Sequence, residues 1–135
     1  MSVSIHQDFS AISWEWLRTD LIEDNFHNGR STDQLRRSFE NTPICVFAMD
    51  GPRCIGTARA LTDGVCNAYV VDVWTHSGYR DQGIATEMMN LIINACPGQH
   101  IYLFTDDAVE FYTRLGFRER PVGLEIISGA WLEGG

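Results

Sequence analysis

Lysine is absent from this chain: all ten basic residues are arginine. A nucleotide-binding loop ending in Gly-Lys-Ser/Thr is therefore excluded. Positive charge is scarce in general, with a formal net charge of -8. That argues against nucleic acid, whose phosphates demand basic patches. Long apolar runs are missing, so no segment approaches the roughly 20 residues that span a bilayer. Met1 to Gln7 carries no basic region followed by an apolar stretch, and no secretory signal is expected there. The four cysteines, at 45, 54, 66 and 96, match no zinc or thioredoxin spacing. They read as reduced thiols of a cytoplasmic protein, with no metal site. Repeats and low-complexity tracts are absent too.

What is present is an ordinary globular composition, 44% hydrophobic over 135 residues. That length fits one domain, residues 1–135, with a real core. Residues 3 to 7 read as a first strand. Ile12, Trp16, Leu17 and Leu21 fall at helical spacing, and Asn28-Gly29 ends that segment. Ser31 with Gln34 is a capping-box pattern opening a second helix, which Pro43 stops. Ile44 to Met49 and Cys54 to Leu61 form a hairpin about Asp50-Gly51. A long strand from about Cys66 to Thr75 completes a meander. A glycine-bearing loop then leads into a helix from Gly83 to Ala95. His100 to Thr105 reads as a strand and Asp107 to Leu115 as a helix closed by Gly116. Phe117 to Pro121 and Leu124 to Ile127 are expected as two last strands. The order predicts a mixed α/β (α+β) sandwich.

The strongest chemical signal is strand, loop, helix around Arg80-Asp81-Gln82-Gly83-Ile84-Ala85. A helix N-terminus offers unpaired N–H groups and a positive dipole end. A glycine there lets an anion approach the backbone, and Arg80 adds a charge suited to phosphate oxygens. The segment reads as a diphosphate cradle or, equally, as an ordinary loop entering a core helix. With one glycine of the required set, it is not a dinucleotide fingerprint.

The stretch Asp72-Val-Trp-Thr-His-Ser-Gly-Tyr-Arg80-Asp-Gln-Gly83-Ile-Ala85 resembles the acetyl-CoA signature of the GNAT superfamily of N-acetyltransferases. Downstream, Glu110-Phe111-Tyr112-Thr-Arg-Leu-Gly116-Phe117 resembles the second signature of that family. The resemblance implies a mostly antiparallel central sheet of six to seven strands flanked by about four helices. It also implies acetyl-CoA as cosubstrate and direct transfer to a primary amine of a small molecule. The alternatives are a non-catalytic acyl-CoA sensor, or an enzyme acting on a protein N-terminus or lysine. Having no lysine, the chain itself offers only its N-terminal amine.

By that resemblance, Val73, Trp74 and Thr75 contact the pantetheine arm. Arg80, Asp81, Gln82, Gly83, Ile84, Ala85 and Thr86 surround the diphosphate, and Asp107 takes a coenzyme contact where the family often has asparagine. An ionised aspartate cannot donate as that amide does. Asp72 is the candidate base and Tyr112 the candidate acid for the leaving thiolate. Asp72 alternatively pairs with Arg59, and Tyr112 alternatively packs as a core aromatic. Of Trp14 and Trp16, on different helix faces, one belongs in the core and the other lines an acceptor pocket. His27 is a candidate substrate contact or, as the plainer reading, a solvated loop residue. Glu23, Asp24, Asp63 and Asp72 are candidates for an acidic acceptor entrance, and Arg59 is a candidate partner of Asp63. Trp131-Leu132 near the C-terminus is a candidate homodimer contact.

Overall fold

The computed structural model describes residues 2–134. Met1, with the amine just mentioned, lies outside them. The chain divides into two compact units, Met1–Leu103 and Phe104–Gly135.

The first unit is built on a five-stranded sheet in the order β1-β2-β3-β4-β5. Strands β1 (Val3–His6), β2 (Ile44–Asp50), β3 (Arg53–Thr62) and β4 (Asn67–Thr75) follow one another antiparallel. Tight turns at Asp50-Gly51 and Asp63-Gly64 supply the left-handed glycines that such connections need. Strand β5 (His100–Tyr102) lies parallel to β4 and is reached through helix α3 (Ile84–Ala95). A parallel neighbour requires such a crossover.

Helices α1 (Trp14–Glu23) and α2 (Thr32–Glu40) lie between β1 and β2 in sequence. Ser13 accepts from the Trp16 amide and starts α1 at Trp14, two residues after Ile12, the first residue of the apolar spacing. Ser31 and Gln34 form the expected capping box on α2. Leu17, Leu21, Leu35 and Phe39 from these helices bury against Cys45, Phe47, Met49, Cys54 and Trp74 of the sheet. Alternation sends Ala48 and Gly56 to the other face, where Met88 of α3 sits. A Cβ at Gly56 would lie 3.0 Å from that of Ala48 and 3.1 Å from Met88 Cε, so α3 approaches the sheet closely because this position is glycine.

The second unit holds helix α4 (Val109–Arg114) and an extended C-terminal segment. The helix ends in a Schellman motif: Gly116 N–H donates to Thr113 O and Phe117 N–H to Tyr112 O. Gly116 takes the left-handed turn at φ +105°. The rings of Tyr112 and Phe117 close the motif edge to face, with centroids 5.8 Å apart. The Gly-Phe end of the second sequence signature is thus a helix stop.

The two last expected strands do not form, and among the described residues the sheet has five strands rather than six or seven. Residues 117–127 have the right alternation, but alternation makes a strand only where another strand offers a ladder. Val122, Leu124 and Ile126 remain exposed. Strand β5 is likewise three residues long where six were expected.

Candidate functional site

Strand β4 is regular as far as Val71, which pairs with Arg59. The next pairing is Trp74 with Thr57. Asp72 and Val73 therefore face the single residue Ala58, a β-bulge. Asp72 takes the left-handed conformation, φ +55°, which a non-glycine residue adopts at some cost. Three groups hold it there. The Thr57 hydroxyl donates to its carbonyl at 2.8 Å. Arg30, buried in the loop between α1 and α2, forks onto its carboxylate with Nη1 to Oδ2 at 2.9 Å and Nη2 to Oδ1 at 3.0 Å. Arg59 adds Nε to Oδ2 at 2.6 Å. Burial opposes the charge on Asp72, but the two guanidinium groups outweigh it and hold the carboxyl below the usual carboxylate range.

Two further ion clusters tie α1 to the same region. Asp24 accepts from Trp74 Nε1 at 2.9 Å and from the Ser77 amide at 3.0 Å. These hydrogen bonds, with the charge of Arg80, keep Asp24 ionised against its own burial. Asp20 accepts a fork from Arg53, both bonds 2.9 Å. Asp20, Glu23 and His76 offer three possible metal-ligand atoms within 4.8 Å of one another. Both Asp20 oxygens are engaged by Arg53, which also lies 3.1 Å from His76 Nε2.

The far side of β4 contrasts with this saturation. Its ladder with β5 covers Asn67, Ala68 and Tyr69 only, so from Val70 to Thr75 that edge has no strand beside it among the described residues. The Thr75 hydroxyl at its end is enclosed and has no hydrogen-bond partner among the described residues. A short turn of 3-10 helix at Ser77–Tyr79 follows, and Arg80 folds back to donate from Nε to Thr75 O at 3.1 Å. Asp81 is left-handed and exposed. Gly83 is the N-cap of α3, at φ +78°, and no side chain caps that helix. A Cβ built on Gly83 would meet nothing within 4 Å. Uncapped N–H groups, a positive dipole end, open space above a glycine and a nearby guanidinium are the parts of an anion site. These residues suit a diphosphate and an extended arm.

In the second unit Tyr112 is buried against Phe111 and Phe117. Burial first, and the charge of Asp107 second, push its hydroxyl above the usual phenol range. It is fully protonated at neutral pH.

The structure gathers Asp72 to Thr86 on one strand, loop and helix. It does not gather the acidic entrance. Asp63 sits in the β3–β4 turn, accepting from the amides of Val65, Cys66 and Asn67, and does not pair with Arg59. Asp24 and Asp72 are consumed by the clusters above. Trp14 is the core tryptophan, packed on Phe9, Phe39 and Phe47. Trp16 is 42% exposed under the Arg53 guanidinium. His27 is half-buried rather than solvated, with Nδ1 enclosed and unpartnered. Arg30 carries no local signal in the sequence, since its partner lies 42 residues away.

Comparison with known proteins agrees with this arrangement. Residues 6–117 match the Acetyltransferase (GNAT) family, and the chain belongs to that family. A histone acetyltransferase of Glycine max, TAP1, is 38% identical over 77 residues, covering 54% of this chain and 33% of the relative. The chain thus matches about a third of the length of such curated relatives. A Xanthomonas campestris protein assigned to the GNAT family superposes with TM-score 0.81 at 20% identity, over 98% of both chains. Glucosamine-6-phosphate N-acetyltransferase from Arabidopsis thaliana gives 0.70 at 13% identity, over 94% of this chain and 99% of its own. At such identities the likeness is one of fold. No helix among the described residues is long and apolar enough to cross a membrane.

Proposed function

We propose that this chain is an N-acetyltransferase that moves the acetyl group of acetyl-CoA to a primary amine of a small molecule by direct attack. One observation carries the reading: an uncapped helix α3, opened by left-handed Gly83, follows after one short loop from a β4 edge that has no strand beside it past Tyr69 among the described residues. The amides from Gln82 to Thr86 then hold the diphosphate, with Asp81 turned outward. The Val73–Thr75 edge pairs with the pantetheine arm as an added strand would. A backbone N–H at Val73 polarises the thioester carbonyl. The neutral amine nitrogen bonds to the acetyl carbon, the carbon–sulfur bond breaks, and the Tyr112 hydroxyl gives its proton to the leaving thiolate. The proton shed by the new amide nitrogen passes to solvent, from which the tyrosine is reprotonated. The family match crosses both units, which supports one domain over 1–135. The buried free cysteines 45, 54 and 96 suit a reducing compartment, and we place the protein in the cytoplasm.

The proton of the amine is a separate matter. A lysine-like amine, pKa ~10.4, is neutral in about one molecule per few thousand at pH 7. Asp72 is poorly suited to remove that proton, because two arginines stabilise its ionised form. We assign Asp72 to shaping the strand and leave deprotonation to solvent. An Asp72→Asn enzyme whose lost rate returns at high pH would restore the base assignment.

The likeness to a histone acetyltransferase favours a second acceptor, a lysine side chain in a basic peptide, and the net charge of -8 suits one. The test is CoA release from acetyl-CoA with a panel of small amines and a lysine-rich peptide. Release with any of them supports transfer. Calorimetric binding of acetyl-CoA without release supports the sensor, and no binding at millimolar coenzyme removes both.

A further inference from the structure

We propose that Arg30 is a positioning residue of the transfer site: by forking onto Asp72 it fixes the kink of β4 and so sets where the Val73–Thr75 edge is presented. The inference rests on the reading of that edge as the coenzyme contact.

Stability alone does not account for the arrangement. Asp72 sits in a backbone conformation that glycine adopts freely and aspartate does not. Two arginines and one carboxylate share a buried spot, so one positive charge is left over. Buried ion clusters of this kind are seldom more stable than apolar packing of the same volume. A strained residue persists when its surroundings over-determine it, and such residues cluster where geometry matters to function. Asp72 is over-determined at its carbonyl by Thr57 and at both carboxylate oxygens by Arg30, with Arg59 added.

The loop that carries Arg30 is shaped to deliver it. Asn28 and Gly29 are both left-handed, at φ +59° and +74°. Arg18 of α1 donates to the Arg30 carbonyl at 2.7 Å, and Arg30 Nε donates to the His27 carbonyl at 3.2 Å. The guanidinium is thus held on its own side before it meets Asp72. Asp24 meets Trp74 and Ser77 from the same helix-and-loop segment. Both the Arg30 and the Asp24 tethers land beside the proposed coenzyme edge.

The test compares Arg30→Lys and Arg30→Met with the parent. An ammonium keeps the charge but cannot fork over two oxygens. Arg30→Lys is expected to fold with a nearly unchanged melting temperature and to lose about tenfold in kcat. Arg30→Met is expected to lose about 10²-fold, the scale of a misplaced reacting group. Both keep parental affinity for 3′-phospho-ADP, which has the diphosphate but no arm. The groups facing Asp72 are Arg30 from the loop, Arg59 from β3 and the Cys45 thiol from β2. Without Arg30, burial is opposed by Arg59 alone, so the acid limb of kcat/KM moves to higher pH in Arg30→Met. Amide hydrogen exchange supplies a readout without turnover. Acetyl-CoA protects Val73 and Thr75 in the parent and not in Arg30→Met. Parental kcat, pH profile and protection in Arg30→Met overturn the proposal. So does a parallel fall of kcat, fragment affinity and melting temperature, which is plain destabilisation. If the parent shows no coenzyme protection on β4, the functional reading fails on its own. The clamp is then judged by ligand-free exchange at Val73 and Trp74, where parental values in Arg30→Met overturn it.

Discussion

The two flanks of the β4 end are built on opposite rules. Toward α1 and the α1–α2 loop, the buried carboxylates are all engaged: Asp20 with Arg53, Asp24 with Trp74 and Ser77, Asp72 with Arg30 and Arg59. Toward the loop and α3, donors are left open: among the described residues no side chain caps the helix, and none stands over it at Gly83. Saturation fixes a shape, and unsatisfied donors leave room for a ligand. Substitutions on the first flank should therefore act on stability and geometry, and those on the second on binding.

The largest expected effect is on the saturated flank. Asp72→Ala leaves two buried guanidinium groups without their carboxylate and should lower the unfolding free energy by about 3 to 5 kcal/mol in urea titration. Acid provides a check on the cause. The folded-state pKa of Asp72 is depressed, so its contribution is fully present above the ordinary carboxylate value and fades as pH falls through the folded value. The stability difference between parent and Asp72→Ala should shrink below about pH 4. A gap that persists at low pH would assign the loss to packing instead.

On the open flank, Gly83→Val should abolish coenzyme binding by calorimetry. Because the position is left-handed, it should also cost about 1 to 3 kcal/mol of stability. Full affinity in a folded Gly83→Val protein would move the cradle elsewhere. Tyr112→Phe should lower kcat by roughly 10²-fold with coenzyme affinity unchanged. Parental kcat would make Tyr112 only the closing contact of the α4 Schellman motif. Arg80→Ala should weaken coenzyme binding by a smaller factor and reduce its salt dependence, since one charge is lost and no backbone donor. The smallest effect belongs to the exposed face of α2. Arg36 pairs there with Asp33 and Glu40 in solvent, and Arg36→Ala should change stability by less than about 1 kcal/mol.

The local part of this architecture was legible before any coordinates. The Ser31–Gln34 box, the Asp50-Gly51 turn, the Gly83 entry to α3 and the Gly116 stop each rest on residues within one turn of each other. The Arg59–Asp72 pair was legible as an alternative, because neighbouring strands bring it together. Arg30 was not, because a loop arginine carries no mark of a partner 42 residues on. The acidic entrance failed for the matching reason: sequence counts carboxylates, but not the donors that consume them. The last strands failed because alternation specifies a face and not a neighbour.

The cysteines bear on how such a protein can be followed in solution. Burial pushes the Cys45 thiol up to about 11 and that of Cys54 up to about 12. Burial raises Cys96 as well, and the Asp63 carboxylate raises exposed Cys66. Since the thiolate is the reactive form and access is needed as well, the three buried thiols react slowly near neutral pH, and exposed Cys66 is the one a reagent reaches. A disulfide-exchange dye therefore meets one accessible protein thiol, Cys66, and on the proposed reaction any colour beyond that single equivalent reports coenzyme thiol.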